Sequence, residues 1–157
     1  MHTFAAARTC RHTRISVTTQ NPTQFVDLTE QVEELVTESG IYAGLVHVQS
    51  LHTTTAVIVN EHEPLLLADF ATLLSNAAPP DAAYRHDDMA ARTVNLAPGE
   101  RPNGHSHCRA LLLGASVSLN VADGILQLGR WQRLFLVELD GPRTREVSIL
   151  LLGEGMR

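Results

Sequence analysis

The chain has 157 residues and a mass of 17.2 kDa, which is the size of one ordinary domain. Its 44% hydrophobic and 18% charged residues are typical of a globular protein, so neither disorder nor low complexity is expected. No apolar run approaches the roughly 20 residues that a membrane helix requires. The net charge of -5 and the pI near 5.9 argue against a nucleic-acid-binding surface.

The beginning of the chain lacks the charged and apolar regions of a secretory signal, so a cytoplasmic location is expected. Cys10 and Cys108 have no motif spacing. In a reducing compartment both thiols are therefore expected to be free.

The first half of the chain reads as alternating strands and helices. Residues 1–13 are expected to be an irregular extension, and Arg14 to Thr19 alternates as a half-buried strand does. Asp27-Leu-Thr-Glu30 has the spacing of a capping box, which predicts a helix that ends at Ser39-Gly40. Residues 41–50 then predict a strand.

The middle of the chain combines a strand, a helix and a long loop. The β-branched run Val57-Ile-Val59 predicts a strand flanked by His52 and Glu61. Glu63-Pro64 suits the start of a helix that ends before Pro79-Pro80, and 81–102 reads as a loop. A short helix is expected from about Ser106, followed by strands at 116–121, 125–128, 133–139 and 145–152.

This order of elements predicts one α+β domain over residues 1–157. Its mostly antiparallel β-sheets would pack against two to three helices.

Three histidines fall where scaffolds commonly place ligands. His52 follows a strand, His86 lies in the loop and His107 opens a helix. Neutral imidazole binds divalent metals, and three ligands with an open position are typical of catalytic zinc. No short ligand spacing such as His-Glu-x-x-His is present, so three unrelated histidines are the alternative. His105 lies two residues from His107, on the opposite side of a helix.

Other polar residues have two readings each. Glu61 ends an apolar strand, where desolvation would suit proton transfer, or it is a helix-start carboxylate. Trp131 reads as a core residue or as a ligand platform, and the neighbouring Gln132 favours a site. The arginines near the C-terminus form either a solvated face or an anion site, and these are Arg130, Arg133, Arg143 and Arg145.

Several segments together resemble the YjbQ family. They are His52-Thr-Thr, Asn60-Glu61, His86, Ser106-His107, Gly114 and Ser116 through Gln132, and the resemblance runs from about Arg14 to Gly153. One residue departs from the pattern, because Arg130 stands where threonine usually precedes Trp131-Gln132. This puts any role of that hydroxyl in question and adds a cation that suits phosphate.

The resemblance implies an α+β homotrimer with polar pockets near subunit contacts and a weak thiamine-phosphate synthase activity. It also aligns His52, His86 and His107 with the histidines that recur in the family. That activity joins a pyrimidine diphosphate to a thiazole phosphate, and the leaving pyrophosphate must be stabilised by cations or a metal.

These observations lead to a hypothesis of a metal-dependent enzyme for a small-molecule substrate, with no nucleic-acid or membrane partner. The predicted ligands of the divalent ion, Zn or Mg, are His52, His86 and His107. Glu61 and His52 are the predicted catalytic residues. The predicted substrate contacts are Gln132, Arg145, Arg130 and Asn120. A metal-assisted hydrolase of a phosphorylated or heterocyclic metabolite and a non-enzymatic binding trimer are the alternatives.

Overall fold

A computed structural model describes residues 8–155 of the chain. The strands are β1 (Arg8–Thr18), β2 (Gln24–Asp27), β3 (Ile41–Ser50), β4 (Thr55–Glu61), β5 (Ser116–Ala122), β6 (Ile125–Leu126), β7 (Gln132–Glu138) and β8 (Thr144–Gly155). The helices are α1 (Thr29–Ser39), α2 (Pro64–Ala77) and α3 (Gly104–Leu113), with one 3-10 turn at Arg85–Asp87. These elements form a single α+β domain, as the sequence predicts.

The strands form two antiparallel sheets. The larger has the order β1-β8-β3-β5-β6 and the smaller the order β2-β7-β4. Apolar side chains of both sheets and of α1 meet in the main core, which includes Val46, Ile149 and Leu136.

The smaller sheet is buried on both faces. Its second face packs under α2 and α3 through a cluster that includes Leu74, Phe135 and Val137. This explains why β7 is an apolar run rather than an alternating one, since a strand covered on both sides has no polar face. The end of this central strand is therefore held in place from both sides.

Two details of the first 30 residues differ from the sequence predictions. Residues 8–13 are not an irregular extension, because β1 begins at Arg8 and pairs with β8 from Arg8 opposite Glu154. Residues 1–7 of the expected extension lie outside the described residues. The capping box does not form either, because Asp27 accepts from the backbone N–H of Thr29 at 2.9 Å while Glu30 pairs with Arg133.

Two further expectations concern the thiols and the membrane. Cys10 and Cys108 are both free and exposed. Within residues 8–155, none of the helices combines the length and the apolar character needed to cross a bilayer.

The pairing of β3 with β8 depends on two facing glycines. Gly44 lies opposite Gly153, and a Cβ added at Gly44 would overlap Leu152 O and lie 2.6 Å from Gly153 Cα. Backbone atoms cannot move aside as a flexible side chain can.

We therefore expect Gly44→Ala to lower the free energy of unfolding by about 2 to 3 kcal/mol, because the two strands must separate locally. Urea unfolding followed by circular dichroism measures the change. Ala43→Ser, at an exposed position of the same strand, is the control and should change stability by less than about 0.5 kcal/mol. Equal stability of Gly44→Ala and the parent would contradict the tight pairing.

Candidate functional site

A polar cavity of about 540 Å³ opens where β3 turns into β4 and β7 turns into β8. Histidine, arginine and carboxylate side chains from five segments of the chain share its wall. They are His52, His86, His107, Arg92, Arg143, Arg145, Glu100 and Asp140, and the remaining lining residues are Leu51, Thr53, Thr54, Asn95, Ala97 and Asn103. The structure therefore brings together four of the predicted site residues, namely the three candidate ligands and Arg145.

The other predicted site residues lie elsewhere in the chain. Thr55 pairs with Glu138 at the cavity end of β4 and β7, whereas Glu61 pairs with Gln132 at the opposite end. At about 3.4 Å per residue, these ends are roughly 20 Å apart. Within one chain, Glu61 and Gln132 therefore do not reach the cavity, and their predicted catalytic and substrate-binding roles stay predictions. Glu61 is also exposed, so the burial that favoured it as an acid or base is missing.

Asn120 and Arg130 are placed away from the cavity as well. Asn120 is exposed on β5 opposite Leu45 of the larger sheet. Arg130 is exposed and its guanidinium lies 4.6 Å from the ring centre of Trp131. Trp131 is itself 61% exposed, so the core reading of this tryptophan is wrong. The Gln132 amide oxygen accepts from the Gly129 N–H, which closes the turn before β7.

His86 and His107 are adjacent, with ring centroids 4.5 Å apart. Asp87 fixes this geometry, because one of its carboxylate oxygens accepts from the backbone N–H groups of Asn103 and Gly104 at 2.8 and 2.9 Å. These are free donors at the start of α3, which a carboxylate caps favourably. Asp87 thereby ties the turn that carries His86 to the helix that carries His107.

Gly104 permits this close approach. A Cβ at Gly104 would lie 2.5 Å from Cβ and 2.7 Å from Cγ of Tyr84. Any larger residue would push α3 away from the turn at Arg85–Asp87 and separate the two imidazoles.

His52 is held in one tautomer by the backbone. Its Nε2 lies 2.8 Å from the Glu146 N–H, which can only donate. Nε2 is therefore the unprotonated nitrogen of neutral His52, and Nδ1 carries the proton. Burial and the nearby Arg145 guanidinium lower the pKa of His52, which favours this neutral form at pH 7.

His107 is also favoured in its neutral form, because burial and the neighbouring His86 lower its pKa. Neither ring nitrogen of His107 has a hydrogen-bond partner within the described part of the chain. His105 does not line the cavity, and its Nε2 lies 3.1 Å from the Ser106 hydroxyl. The Ser106 hydroxyl in turn donates to Leu139 O, so it accepts from His105.

A buried ion pair lies behind the cavity wall. Arg145 binds Glu138 through two parallel contacts, Nε to Oε2 at 2.7 Å and Nη2 to Oε1 at 2.5 Å, and also donates to Thr54. Burial acts to raise the pKa of Glu138, but hydrogen bonds from Arg145, from the Asp140 N–H and from Thr19 hold it below its ordinary value of 4.5. Arg145 is buried, and its Nη1 has no protein partner among residues 8–155.

Asp140 organises the opposite part of the wall. It is buried and accepts from Arg143 Nη2 at 2.9 Å, from Asn103 Nδ2 at 3.1 Å and from the largely exposed Arg101 at 3.4 Å. Arg143 thereby keeps Nη1 free of protein partners within residues 8–155. The cavity thus has two arginines, each with one unused guanidinium nitrogen.

The long loop over the cavity folds around its own ion pair. Arg92 contacts Glu100 through Nη1 at 2.5 Å and Nη2 at 3.0 Å, and its Nη1 lies 3.3 Å from His86 Nε2. Hydrogen bonds from Arg92 and from the Ala97 N–H hold the pKa of Glu100 at about 2. The loop is therefore an ordered wall of the site.

Four further residues of the site were not predicted from the sequence, namely Asp87, Asn103, Glu138 and Asp140. Glu138 and Asp140 follow the apolar run of β7, where acidic residues are unusual in a strand covered on both faces. The contrast between these acidic residues and the apolar run before them could have indicated a site from the sequence. Asp87 and Asn103 carry no such signal, since they act through backbone contacts between distant segments.

The imidazole side chains that line the cavity are suitable ligands for a divalent metal. Their free nitrogen lone pairs, however, are not directed at one common position. Neutral imidazole is the form that binds metal, and burial favours it at His52 and His107. Residues 8–155 contain no group of three His, Cys, Asp or Glu side chains already arranged to hold an ion. Nε2 of His52 contacts the Glu146 N–H, and Nε2 of His86 contacts Arg92. Binding through those atoms therefore requires each ring to release its partner.

Comparison with known proteins decides the family. Residues 13–154 match the family described as UPF0047 protein YjbQ-like. The chain belongs to this family. A UPF0047 protein of Archaeoglobus fulgidus is 37% identical over 88% of this chain and 98% of its own length. One of Methanothermobacter thermautotrophicus is 36% identical over 87% of both chains.

Solved structures agree with this membership. A YbjQ-like protein of unknown function from Sulfolobus solfataricus P2 superposes with a TM-score of 0.84 at 35% identity, and covers 94% of this chain and 100% of its own. A hypothetical protein from Aeropyrum pernix K1 gives a TM-score of 0.80 at 36% identity, with 92% and 99% covered.

Removal of the Asp87 carboxylate should loosen the two-histidine contact. We expect Asp87→Ala to lower the free energy of unfolding by about 1 to 2 kcal/mol, because two N–H groups at the start of α3 lose their acceptor. Urea unfolding measures the loss, and the histidine ring signals in NMR should show His86 and His107 moving apart. Asp81→Ala is the matched control, since Asp81 is exposed and its side chain accepts no hydrogen bond within residues 8–155. Unchanged histidine signals in Asp87→Ala would contradict the positioning role.

Removal of the Arg145 cation should leave the buried Glu138 carboxylate without its charged partner. We expect Arg145→Met to lower the free energy of unfolding by about 3 to 5 kcal/mol at pH 7. In the parent, the pKa of folded Glu138 lies below 4.5, so its stabilising contribution is complete above that pH and is lost as the pH falls further. In the variant, the Arg145 hydrogen bonds that oppose burial are gone and the pKa of Glu138 rises, so the stability deficit should shrink as the pH falls from 7 to about 5.

Urea unfolding at several pH values tests this. The double variant Glu138→Gln with Arg145→Met contains no carboxylate at this position, so the extra pH dependence should disappear. A deficit of Arg145→Met that stays constant from pH 7 to about 5 would show that Glu138 is not the charge left unpaired.

Proposed function

We propose that the chain is a small metal-dependent enzyme that binds an anionic metabolite in the cavity of His52, His86 and His107. The observation that carries the proposal is the convergence of three imidazoles and two arginines with unused N–H groups on one cavity. Imidazoles supply metal ligands or proton carriers, and guanidinium groups bind phosphate or carboxylate oxygens. Polar groups that converge in a concave site are typical of substrate pockets.

The anion would bind to the wall formed by Arg143, Arg145 and His52. Each guanidinium keeps Nη1 unused, and neutral His52 carries its proton on Nδ1. Asp140 and Glu138 already balance the charges of these arginines, so the wall offers directed N–H donors rather than a strong excess of positive charge. A bound divalent ion would supply the missing positive charge and polarise a phosphoryl or carbonyl oxygen.

His52, His86 and His107 would hold the ion, His52 through Nε2 after this atom releases the Glu146 N–H. The chain's own contribution is to favour the neutral rings of His52 and His107, to orient His86 against His107 through Asp87, and to place the anion next to them. Arg92 and Glu100 shape the loop that covers the ligands.

The reaction to test first is the one implied by the family resemblance, thiamine-phosphate synthesis. In that reaction the thiazole nitrogen attacks the methylene carbon of the pyrimidine diphosphate. A C–N bond forms, the C–O bond breaks, and pyrophosphate leaves with the electron pair. The free N–H groups of Arg143 and Arg145 support this assignment, because they suit a departing pyrophosphate.

The purified chain should be incubated with the two thiamine precursors and Zn²⁺ or Mg²⁺ while pyrophosphate and inorganic phosphate are measured. Steady pyrophosphate release that is lost in Arg145→Lys supports the transferase. Release of inorganic phosphate from either precursor alone would instead identify a hydrolase. Tight binding of metal and precursor without product would identify a non-enzymatic binding protein.

The ligand set has its own test. We expect His52→Ala, His86→Ala and His107→Ala each to weaken Zn²⁺ affinity severely, because a three-ligand site keeps only two protein donors. His105→Ala is the matched control and should change the affinity by at most about 10 to 100-fold through indirect contacts. Competition with a chromophoric chelator measures all four. If His105→Ala empties the site while His107→Ala stays loaded, the ligand assignment is wrong.

We further propose that the chain assembles as a homotrimer. Four leucines on the outer surfaces of α2 and α3 support self-association, since large apolar patches commonly mark contacts. They are Leu65 (75% exposed), Leu73 (64%), Leu111 (84%) and Leu112 (63%). The number of subunits rests on the family resemblance. The cytoplasmic location stays a prediction of the sequence.

Light scattering should give a mass of about three times the chain mass of 17.2 kDa. We expect Leu111→Glu to shift the protein toward the monomer, because it would place a charge in a subunit contact that buries these leucines. Val94→Glu, at a 70% exposed position in the loop, is the control and should leave the mass unchanged. A mass near that of one chain for the parent would exclude the trimer.

A further inference from the structure

We infer that Asn103 Oδ1 accepts a hydrogen bond from an O–H or N–H group of the molecule bound in the cavity. The ligand class is thereby narrowed to an organic phosphate that also carries a hydroxyl or N–H donor. This inference rests on the proposed anion-binding function of the cavity and adds a second recognition element to it.

Asn103 lines the cavity and is 6% exposed. Its Oδ1 is the one buried side-chain nitrogen or oxygen without a hydrogen-bond partner within residues 8–155. Buried polar atoms are nearly always paired, because an unpaired one lowers the stability of the folded protein. An unpaired acceptor on a residue that lines the cavity indicates that a donor of the bound molecule completes it.

The orientation of the amide is fixed. Nδ2 donates to Asp140 Oδ2 at 3.1 Å, and an ionised carboxylate can only accept. A flipped amide would place two acceptors against each other. Oδ1 is therefore the acceptor that remains for a ligand.

The Asn103 side chain does not cap the helix that it precedes. It precedes the first residue of α3, where an asparagine oxygen commonly caps the helix, yet its side chain makes no such bond. Asp87 caps the helix instead. The Asn103 side chain is thus released from the helix start and held by Asp140.

One part of the cavity wall presents hydrogen-bond donors, and Asn103 presents an acceptor. Arg143, Arg145 and His52 present N–H donors, which require an acceptor such as phosphate. Asn103 presents an acceptor, which requires a donor. A small molecule with a phosphate and a nearby hydroxyl or N–H group satisfies both, whereas a simple alkyl phosphate leaves Oδ1 unpaired.

The test uses matched probes with the full chain. Ethyl, propyl and butyl phosphate are titrated calorimetrically against 2-hydroxyethyl, 3-hydroxypropyl and 4-hydroxybutyl phosphate, with and without Zn²⁺. The parent should bind the hydroxyl compound about tenfold more tightly at the chain length that reaches Asn103. Asn103→Ala should bind both members of that pair with the affinity of the parent for the alkyl compound. Asn95→Gly is the matched control, because it removes another amide that lines the cavity and should keep the tenfold preference.

The outcomes separate this inference from the proposed function. Binding of alkyl phosphates with no hydroxyl preference at any length would overturn the role of Asn103 and leave the anion site intact. No binding of alkyl or inorganic phosphate to the parent, with or without Zn²⁺, would overturn both. A preference that persists in Asn103→Ala, or a tenfold loss of Zn²⁺ affinity in that variant, would show that Asn103 serves another purpose. Should Asn103→Ala unfold in urea too early for titration, Asn103→Ser supplies the same comparison with a shorter side chain.

Discussion

The buried pair of Glu138 and Arg145 is the interaction on which the rest of the site depends. Glu138 ends the central strand of the smaller sheet, and Arg145 is the second residue of β8, which runs through the larger one. Their two parallel hydrogen bonds, together with contacts to Thr19 and Thr54, join the two sheets at the cavity. Because a charge that lost its partner here would be desolvated and unpaired, the relative position of the sheets is strongly specified.

The same principle extends across the cavity wall. Arg143 pairs with Asp140, and Arg92 pairs with Glu100. Each carboxylate neutralises its arginine and fixes the orientation of the guanidinium group. Fixed direction leaves particular N–H groups available and suppresses the general attraction of anions that a bare basic patch would have. In the proposed anion site, selectivity would therefore depend on geometry: a ligand would present acceptors to the arginine side and a donor to Asn103.

Local patterns in the sequence predicted most of the fold. Gly40 ends α1 in a left-handed conformation and Pro64 opens α2, as their residue types indicate. The four-residue β2 was missed, because so short a half-buried segment has too little periodicity to read. For the site, the three histidines were selected by their positions beside strand, loop and helix ends and by the family resemblance. His52 and Glu61 flank β4 as predicted, but the two ends of one strand lie at opposite ends of the domain, and residue types do not reveal which end carries the pocket.

The hydrogen bonds of Asp87 separate the length of the loop before α3 from the position of the two adjacent histidines. By binding the backbone of Asn103 and Gly104, Asp87 closes the long loop at its stem, and the loop then folds on its own Arg92 and Glu100 pair. Extra residues at the tip of a closed loop cost little, since closure entropy grows only slowly with length. The loop can therefore lengthen or shorten without moving His86 relative to His107. Relatives can change the size of the molecule they admit while the imidazole pair stays in place.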